Sequence, residues 1–360
     1  MTPTGEIEID GAEGLGSGTI LRYSVALAAL QGRPLRLVNA RAGREKPGLR
    51  PQHLAAIAAC AELCGAETEG LAVDSTAFRF RAGRPPEGGE YRWEIPTAGS
   101  TTMLALTVLP LAAWADGEVR ARIVGGVFQD FAPSPFHLSR VLAPLLARVG
   151  LAFSLELVRP GYVPGGEGEI ELAVTPVGDA LDPVVLDERG PVERIEGIAL
   201  SSHLEEARVS ERMAEACEQR LAEAGLDASI EPRVDDTAVH PGAGLAAWAI
   251  TADGHRLGSD RAGARGRPSE RIGAFVADRL LEDLETGAPV DRHAADMLVL
   301  FAALATGESR WPVPRVTDHL RTNLRLIDRF GIGGGIENGI VRVEGAGHRR
   351  HGPPSGRRAP

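Results

Sequence analysis

The chain has 360 residues, 43% of them hydrophobic and 24% charged, with a formal net charge of −10. That balance predicts a soluble chain with one large or two medium cores. It excludes a protein that coats nucleic acid through a broadly basic surface, and no apolar run approaches the roughly 20 residues of a membrane span.

Aromatic residues are only 4% of the chain while glycine numbers 44, which predicts closely packed small-residue helices. The opening MTPTGEIEID is acidic and lacks an apolar core, so no signal peptide is expected. The three cysteines, Cys60, Cys64 and Cys217, form no disulfide framework, and Cys60 and Cys64 read as small buried thiols on one helix. The expected location is the cytoplasm.

In chain order, EIEI (Glu6–Ile9) alternates like a strand, DGAEGLGSG is a glycine-rich turn, and Thr19–Leu30 is helical. RPLRLVNA alternates again, a basic turn follows, and Pro51–Gly65 is a second helix that ends on a glycine. The same order returns as strand YRWEIP, turn TAGS, helix TTMLALTVLPLAAWA, strand EVRARIV, loop GGVFQDFAPSP and helix FHLSRVLAPLLARVG. Gly65 and Gly150 stand 85 residues apart, and Gly11 and Gly99 stand 88 apart, which sets the period.

A third copy contributes helix HAADMLVLFAALATG, strand SRWPVPRV and helix DHLRTNLRLIDRFG. Between Gly150 and Gly331 lie 181 residues, one period and 96 more. The expected architecture is therefore α/β: three repeated units, each roughly a sheet plus two helices, over 1–185 and 287–346. A smaller α/β domain, 186–286, is inserted in the third. Residues 347–360 read as a disordered basic tail. Each second helix opens on His-Leu, at His53, His137 and His319.

Three places could carry chemistry. The first strand–glycine–helix unit aims backbone N–H groups at a helix N-terminus, which suits a phosphate as well as a plain tight turn. Five cations crowd the turn NARAGREKPGLRPQHL: Arg41, Arg44, the sole lysine Lys46, Arg50 and, if protonated, His53. With Arg22 they could form a forked anion site, or simply a solvated charge run. His319 is either a helix-start residue or a nucleophile, with Asp296 and Asp318 as candidates to orient it.

The run DGAEGLGSGTILR…RAGREKPGLRPQHLAAIAACAELCGAETEG…TAGSTT…GYVPGGEGEI…AADMLVL…DHLRTNLRLIDRF resembles the RNA 3′-terminal phosphate cyclases, from about Ile7 to about Val343. RAGREKPGLRPQHL is its most specific piece. The resemblance implies an ATP-dependent ligase-type enzyme that converts an RNA 3′-phosphate end to a 2′,3′-cyclic phosphate through a histidine-adenylate and an RNA-adenylate. His319 matches the nucleophile and Asp296 the supporting aspartate. Arg22, Arg41, Arg44, Gln52 and His53 fall on positions around the phosphates and nucleotide. The resemblance also implies Mg²⁺ or Mn²⁺, RNA 3′-phosphate ends as partner, and neither membrane nor DNA. It sets no oligomeric state.

The chain departs from the family pattern in several places. Leu15 stands where the family has a metal-linked Glu, which leaves Glu13, two residues earlier, as the metal residue only if the loop shifts, and Leu106 stands where it has a Gln. RPGYVPGGEGEI and GGVFQDFAP also differ from the usual wording. The alternative reading is a cyclase-like protein that binds RNA or assembles a ribonucleoprotein with weak or no catalysis. An enolpyruvyl transferase, with distantly similar repeated units, relies on several lysines where this chain has only Lys46.

Overall fold

A computed structural model describes residues 5–14 and 18–350. The first part holds β1 (Ile7–Asp10), α1 (Gly18–Gln31), β2 (Leu35–Val38), α2 (Pro51–Cys64), β3 (Glu67–Glu69) and β4 (Phe78–Arg81). Its sheet runs β1-β2-β4-β3, with β1 and β2 parallel and the other neighbours antiparallel. The next part holds β5 (Gly89–Glu94), α3 (Thr101–Ala113), β6 (Val119–Gly125), α4 (Pro135–His137), α5 (Ala143–Ala147), β7 (Ala152–Arg159) and β8 (Gly168–Thr175). Its sheet, β5-β6-β8-β7, pairs in the same pattern.

The helix expected to start near Phe136 is interrupted by a π-helical turn, Leu138–Leu142. Pro144 has no N–H to give the carbonyl of Arg140. That carbonyl instead accepts from the Arg256 guanidinium at 2.9 Å.

Residues 192–284 supply β9 (Val192–Ser202), α6 (Val209–Ala222), β10 (Ala228–Val234), β11 (Gly242–Thr251), β12 (Arg256–Ala262) and α7 (Ser269–Leu284). The sheet β10-β9-β11-β12 has its own apolar cluster, from Ile195 through Met213 and Val276 to Leu284, with α6 packed on α7. The remainder holds α8 (Arg292–Leu304), β13 (Glu308–Pro312), α9 (Asp318–Arg329), β14 (Gly334–Glu337) and β15 (Ile340–Glu344). Its sheet is β13-β15-β14, and an isolated parallel bridge from Val185 to Arg310 stands where β1 and β5 stand in the other two.

Helices α1, α3 and α8 are buried around most of their circumference: every residue from Thr19 to Leu30 in α1, and from Ala294 to Leu304 in α8. Apolar or small side chains on all faces make a helix that must sit inside its domain. By contrast α9 buries one stripe, Leu320, Leu324 and Ile327, and turns Arg321, Arg325 and Asp328 outward. Among the described residues no helix is long and apolar enough to cross a membrane.

Of the tail expected to be disordered, residues 347–350 are described and are held against the rest of the chain. Gly347 and His348 donate backbone N–H groups to Ala305 and Leu304, the His348 ring stands edge-on to Trp114, and Arg349 pairs with Asp179. Residues 351–360 lie outside the described residues.

Candidate functional site

The site begins where helix N-termini gather. A methyl group on Gly18, the first residue of α1, would lie 2.6 Å from His53 Nε2 and 2.8 Å from an Arg22 nitrogen. Gln52, beside His53 at the start of α2, accepts through Oε1 from the Ser100 N–H at 3.3 Å, and Ser100 is the N-cap of α3. Residues of α9 close the other side: Thr322 Oγ1 lies 2.5 Å from where a Cβ of Gly14 would be, and α1 packs on α9. Unsatisfied N–H groups and aligned dipoles make such a meeting of N-termini a favourable place for an anion.

Arg22 supplies the fixed charge. Its side chain is buried, its only described hydrogen bond is to Thr19 Oγ1 at 3.4 Å, and no carboxylate pairs with it among the described residues. Burial pulls its pKa down to about 10, with neighbouring Tyr23 opposing, so the guanidinium stays charged at neutral pH. A buried charge with no counter-ion is costly to maintain. Its presence argues for an anionic ligand.

His53 is not a cation. Burial first, then the charges of Arg22, Arg41 and Arg50, hold its pKa at about 3. Its Nδ1 accepts from the Arg50 N–H at 3.0 Å, closing a capping box at the start of α2. The neutral tautomer therefore carries its proton on Nε2, as a donor facing Gly18.

The basic turn divides its labour. Arg41 spends one terminal nitrogen on the carbonyls of Lys46 and Gly48, both at 2.9 Å, and so braces the loop it belongs to. Burial, then Arg44 and Arg50, lower its pKa. Arg50 pairs with Asp74. Arg44 is exposed, and its charge reaches both Arg41 and His319.

His319 lies in the first turn of α9 behind the N-cap Thr317, whose Oγ1 accepts from the Leu320 N–H at 2.9 Å. The residue is exposed, yet its surroundings lower its pKa: desolvation first, then Arg22, His293 and Arg44, with Asp318 opposing. It is thus neutral at pH 7, the form with a free lone pair.

Asp296 is buried on α8, and burial raises its pKa to about 7. Thr317 Oγ1 donates to its Oδ1 at 2.7 Å, and Asn323 Nδ2 donates to its backbone carbonyl at 2.9 Å. Asp296 therefore reaches His319 through the cap of α9 rather than by a hydrogen bond to the imidazole. Glu13 pairs with Arg329 at the far end of α9. Among the described residues no group of three His, Cys, Asp or Glu stands ready for a metal ion.

Two contributors escaped the sequence reading. His293 lies three residues before Asp296, hence on the same face of α8, and its charge bears on His319. Tyr23 is buried beside Arg22 and Asp296, and burial drives its hydroxyl pKa upward. The i, i+3 spacing on α8 was a usable signal for the first; nothing in the pattern of α1 marked the second.

The family model described as RNA 3′-terminal phosphate cyclase matches residues 13–332. A protein named RNA 3′-terminal phosphate cyclase from Hyperthermus butylicus is 42% identical over 338 residues, covering 92% of this chain and 93% of its own. The chain belongs to the RNA 3′-terminal phosphate cyclase family. Proteins of the same name from Ignicoccus hospitalis and Trichormus variabilis are 41% and 38% identical, covering 90% and 94% of this chain and 92% and 97% of their own. Among solved structures, an EPSP synthase from Acinetobacter baumannii aligns over 96% of this chain and 66% of its own at 11% identity. The TM-score is 0.26.

Against the family pattern, Leu15 lies outside the described residues, and Leu106 is buried in the core around α3. The segment at Gly161–Gly168 packs on the TAGS turn. Gly166, at φ +79°, leaves only 2.9 Å between a would-be Cβ and the Ala98 Cα, so a side chain there is excluded twice over.

Proposed function

We propose that this chain uses ATP to convert an RNA 3′-phosphate to a 2′,3′-cyclic phosphate, with His319 as the nucleophile. The observation that carries the reading is the buried Arg22 guanidinium without a carboxylate, set beside the neutral His53 and within electrostatic reach of His319. A ring nitrogen of His319 attacks the α-phosphorus of ATP, and pyrophosphate leaves. An oxygen of the RNA 3′-phosphate then takes the adenylyl group and frees the histidine. The neighbouring 2′-hydroxyl attacks the activated phosphorus, AMP leaves with the bonding electrons, and the hydroxyl proton passes to solvent.

In this scheme Arg22 and the helix N-termini bind the charge that develops on the transferring phosphoryl oxygens. The His53 Nε2–H donates to the same oxygens, while Gln52 fixes the start of α3 and Arg41 fixes the basic turn. Asp296 positions the first turn of α9 through Thr317. A Mg²⁺ or Mn²⁺ ion would screen phosphate charge. With Glu13 held by Arg329, such an ion would be held mainly by the nucleotide's own phosphates.

We further place residues 186–286 as an inserted α/β domain and the protein in the cytoplasm, where the unpaired thiols Cys60, Cys64 and Cys217 would stay reduced.

The test is labelling of the protein with α-³²P-ATP and a divalent cation, comparing wild type with His319→Ala. An acid-labile, alkali-stable adenylate absent from the variant is expected, followed by transfer to 3′-phosphorylated RNA. Absence of label on folded protein with either Mg²⁺ or Mn²⁺ would sink the catalytic reading in favour of an RNA-binding relative.

A further inference from the structure

Phe131 is fully exposed, 103% of its reference area, and its backbone is left-handed at φ +68°. A bulky residue in that region is an outlier, and the side chain gains nothing from burial. The loop around it is nevertheless firmly held. On one side Gln129 Nε2 donates to the Ala98 carbonyl at 3.3 Å, and Asp130 receives both terminal nitrogens of Arg267, at 3.0 and 2.8 Å, and Arg261 at 3.3 Å. On the other, the Pro133 carbonyl accepts from Thr102 at 2.8 Å and the Ser134 N–H donates to Asp260. A strained, solvated aromatic held on both flanks is a presented group, not a slack loop.

Its neighbourhood points to the class of ligand. The segment RAGARGR, Arg261–Arg267, sets three arginines within seven residues of a chain whose net charge is −10. Two of them grip Asp130, next to Phe131. The third, Arg265, is exposed and makes no hydrogen bond or ion pair among the described residues. Inward from the loop, Gln129 bonds Ala98, two residues before Ser100, and the Ser100 N–H bonds Gln52, the chain neighbour of His53. An aromatic face and a free guanidinium are the two elements that hold single-stranded nucleic acid without reading its sequence.

We propose that Phe131 and Arg265 form a subsite for the RNA strand upstream of the reacting 3′ end, a base stacking on Phe131 and a backbone phosphate meeting Arg265. This rests on the proposed RNA-cyclising function for the identity of the strand. It assigns the 186–286 segment a part in holding RNA, since Arg261, Arg265 and Arg267 all belong to it.

The experiment is fluorescence anisotropy with a labelled ten-nucleotide single-stranded RNA bearing a 3′-phosphate, which reads binding without catalysis. Phe131→Ala is expected to weaken binding about 10-fold and Phe131→Trp to preserve it, as stacking on one base implies. Arg265→Ala should weaken binding and reduce the slope of log K against log salt by about 1. The loss from Phe131→Ala should be smaller for a dinucleotide 3′-phosphate. Wild-type affinity in both alanine variants, or no binding of the ten-nucleotide strand by wild type, overturns the subsite. If wild type cyclises RNA while both variants bind like it, only the subsite falls. If wild type binds the strand with these variant effects but forms no adenylate, only the catalytic reading falls.

Discussion

The imidazole of His53 and the guanidinium of Arg22 close over one backbone position, Gly18, leaving room for a hydrogen and nothing larger. Helix starts α1 and α2 thereby bring two donors within 3 Å of one point. Gly18→Ala should leave folding intact, because alanine has a higher propensity than glycine at a helical position. It should displace Arg22 first, the more flexible of the two. Loss of one charge-assisted hydrogen bond, about 1.5–3 kcal/mol, predicts a rise of roughly 10- to 100-fold in the KM for ATP. Steady-state adenylation kinetics with a parallel thermal melt check it. An unchanged KM would place the nucleotide elsewhere.

Arg22 also sets the protonation of His319. Desolvation and then the Arg22 charge lower the histidine's pKa, so its neutral, nucleophilic form persists to lower pH than the ordinary histidine value of about 6.5 allows. Removing the charge with Arg22→Gln should move the titration upward, toward that value. Following the His319 ring proton by NMR gives the midpoint without requiring turnover. Identical midpoints in the two proteins would show that Arg22 does not face His319.

Asp296 carries a stability cost with a definite sign. Its folded pKa of about 7 exceeds the unfolded carboxyl value of about 3.9, burial being the main cause. Between those values the folded state binds more protons than the unfolded chain, so this group's contribution to stability falls as pH rises from about 4 to 7. Asp296→Asn removes that slope. The variant should gain on wild type at pH 8 relative to pH 4, by an amount on the order of a few kcal/mol, while losing adenylation. Melting midpoints of both proteins across that range decide it. A constant difference would mean that Asp296 is ionised throughout.

How far the sequence carried this picture depends on whether a residue's role is local. The helices starting near Thr19, Pro51, Thr101 and Asp318 are legible from apolar spacing, caps and terminal glycines, and the structure keeps them within a residue or two. Strands such as β3 and β4 were not: Phe78–Arg81 alternates for only four residues and is held by cross-strand pairs such as Arg81 with Glu67. The crowd of cations in the basic turn was visible, but not its division. Whether Arg41 faces a ligand or its own loop depends on φ +55° at that residue and on two carbonyls several positions away. His53 looked like a possible cation because burial beside Arg22 is a tertiary fact.

His137 shows what the remaining His-Leu helix start does instead. Its Nε2 lies 3.1 Å from Asp291 Oδ2, and both side chains are buried. The same carboxylate accepts from the N–H groups of His293 and Ala294, each at 2.8 Å, as the N-cap of α8, and from Gly258 on β12 at 2.9 Å. Burial would raise the Asp291 pKa, but His137 and these donors hold it well below the usual carboxylate range. If Asp291 were only a cap, alanine would cost about 0.5–2 kcal/mol. Because it also balances a buried imidazole and ties β12 to α8, Asp291→Ala should cost about 3–5 kcal/mol. The double variant with His137→Leu should be destabilised by less than the sum of the two single changes. Urea unfolding of the three variants separates the cases. A loss near 1 kcal/mol with simple additivity would reduce Asp291 to an ordinary cap. The larger, non-additive loss would make it the residue that sets α8, and with it His293 and Asp296, against the first turn of α9.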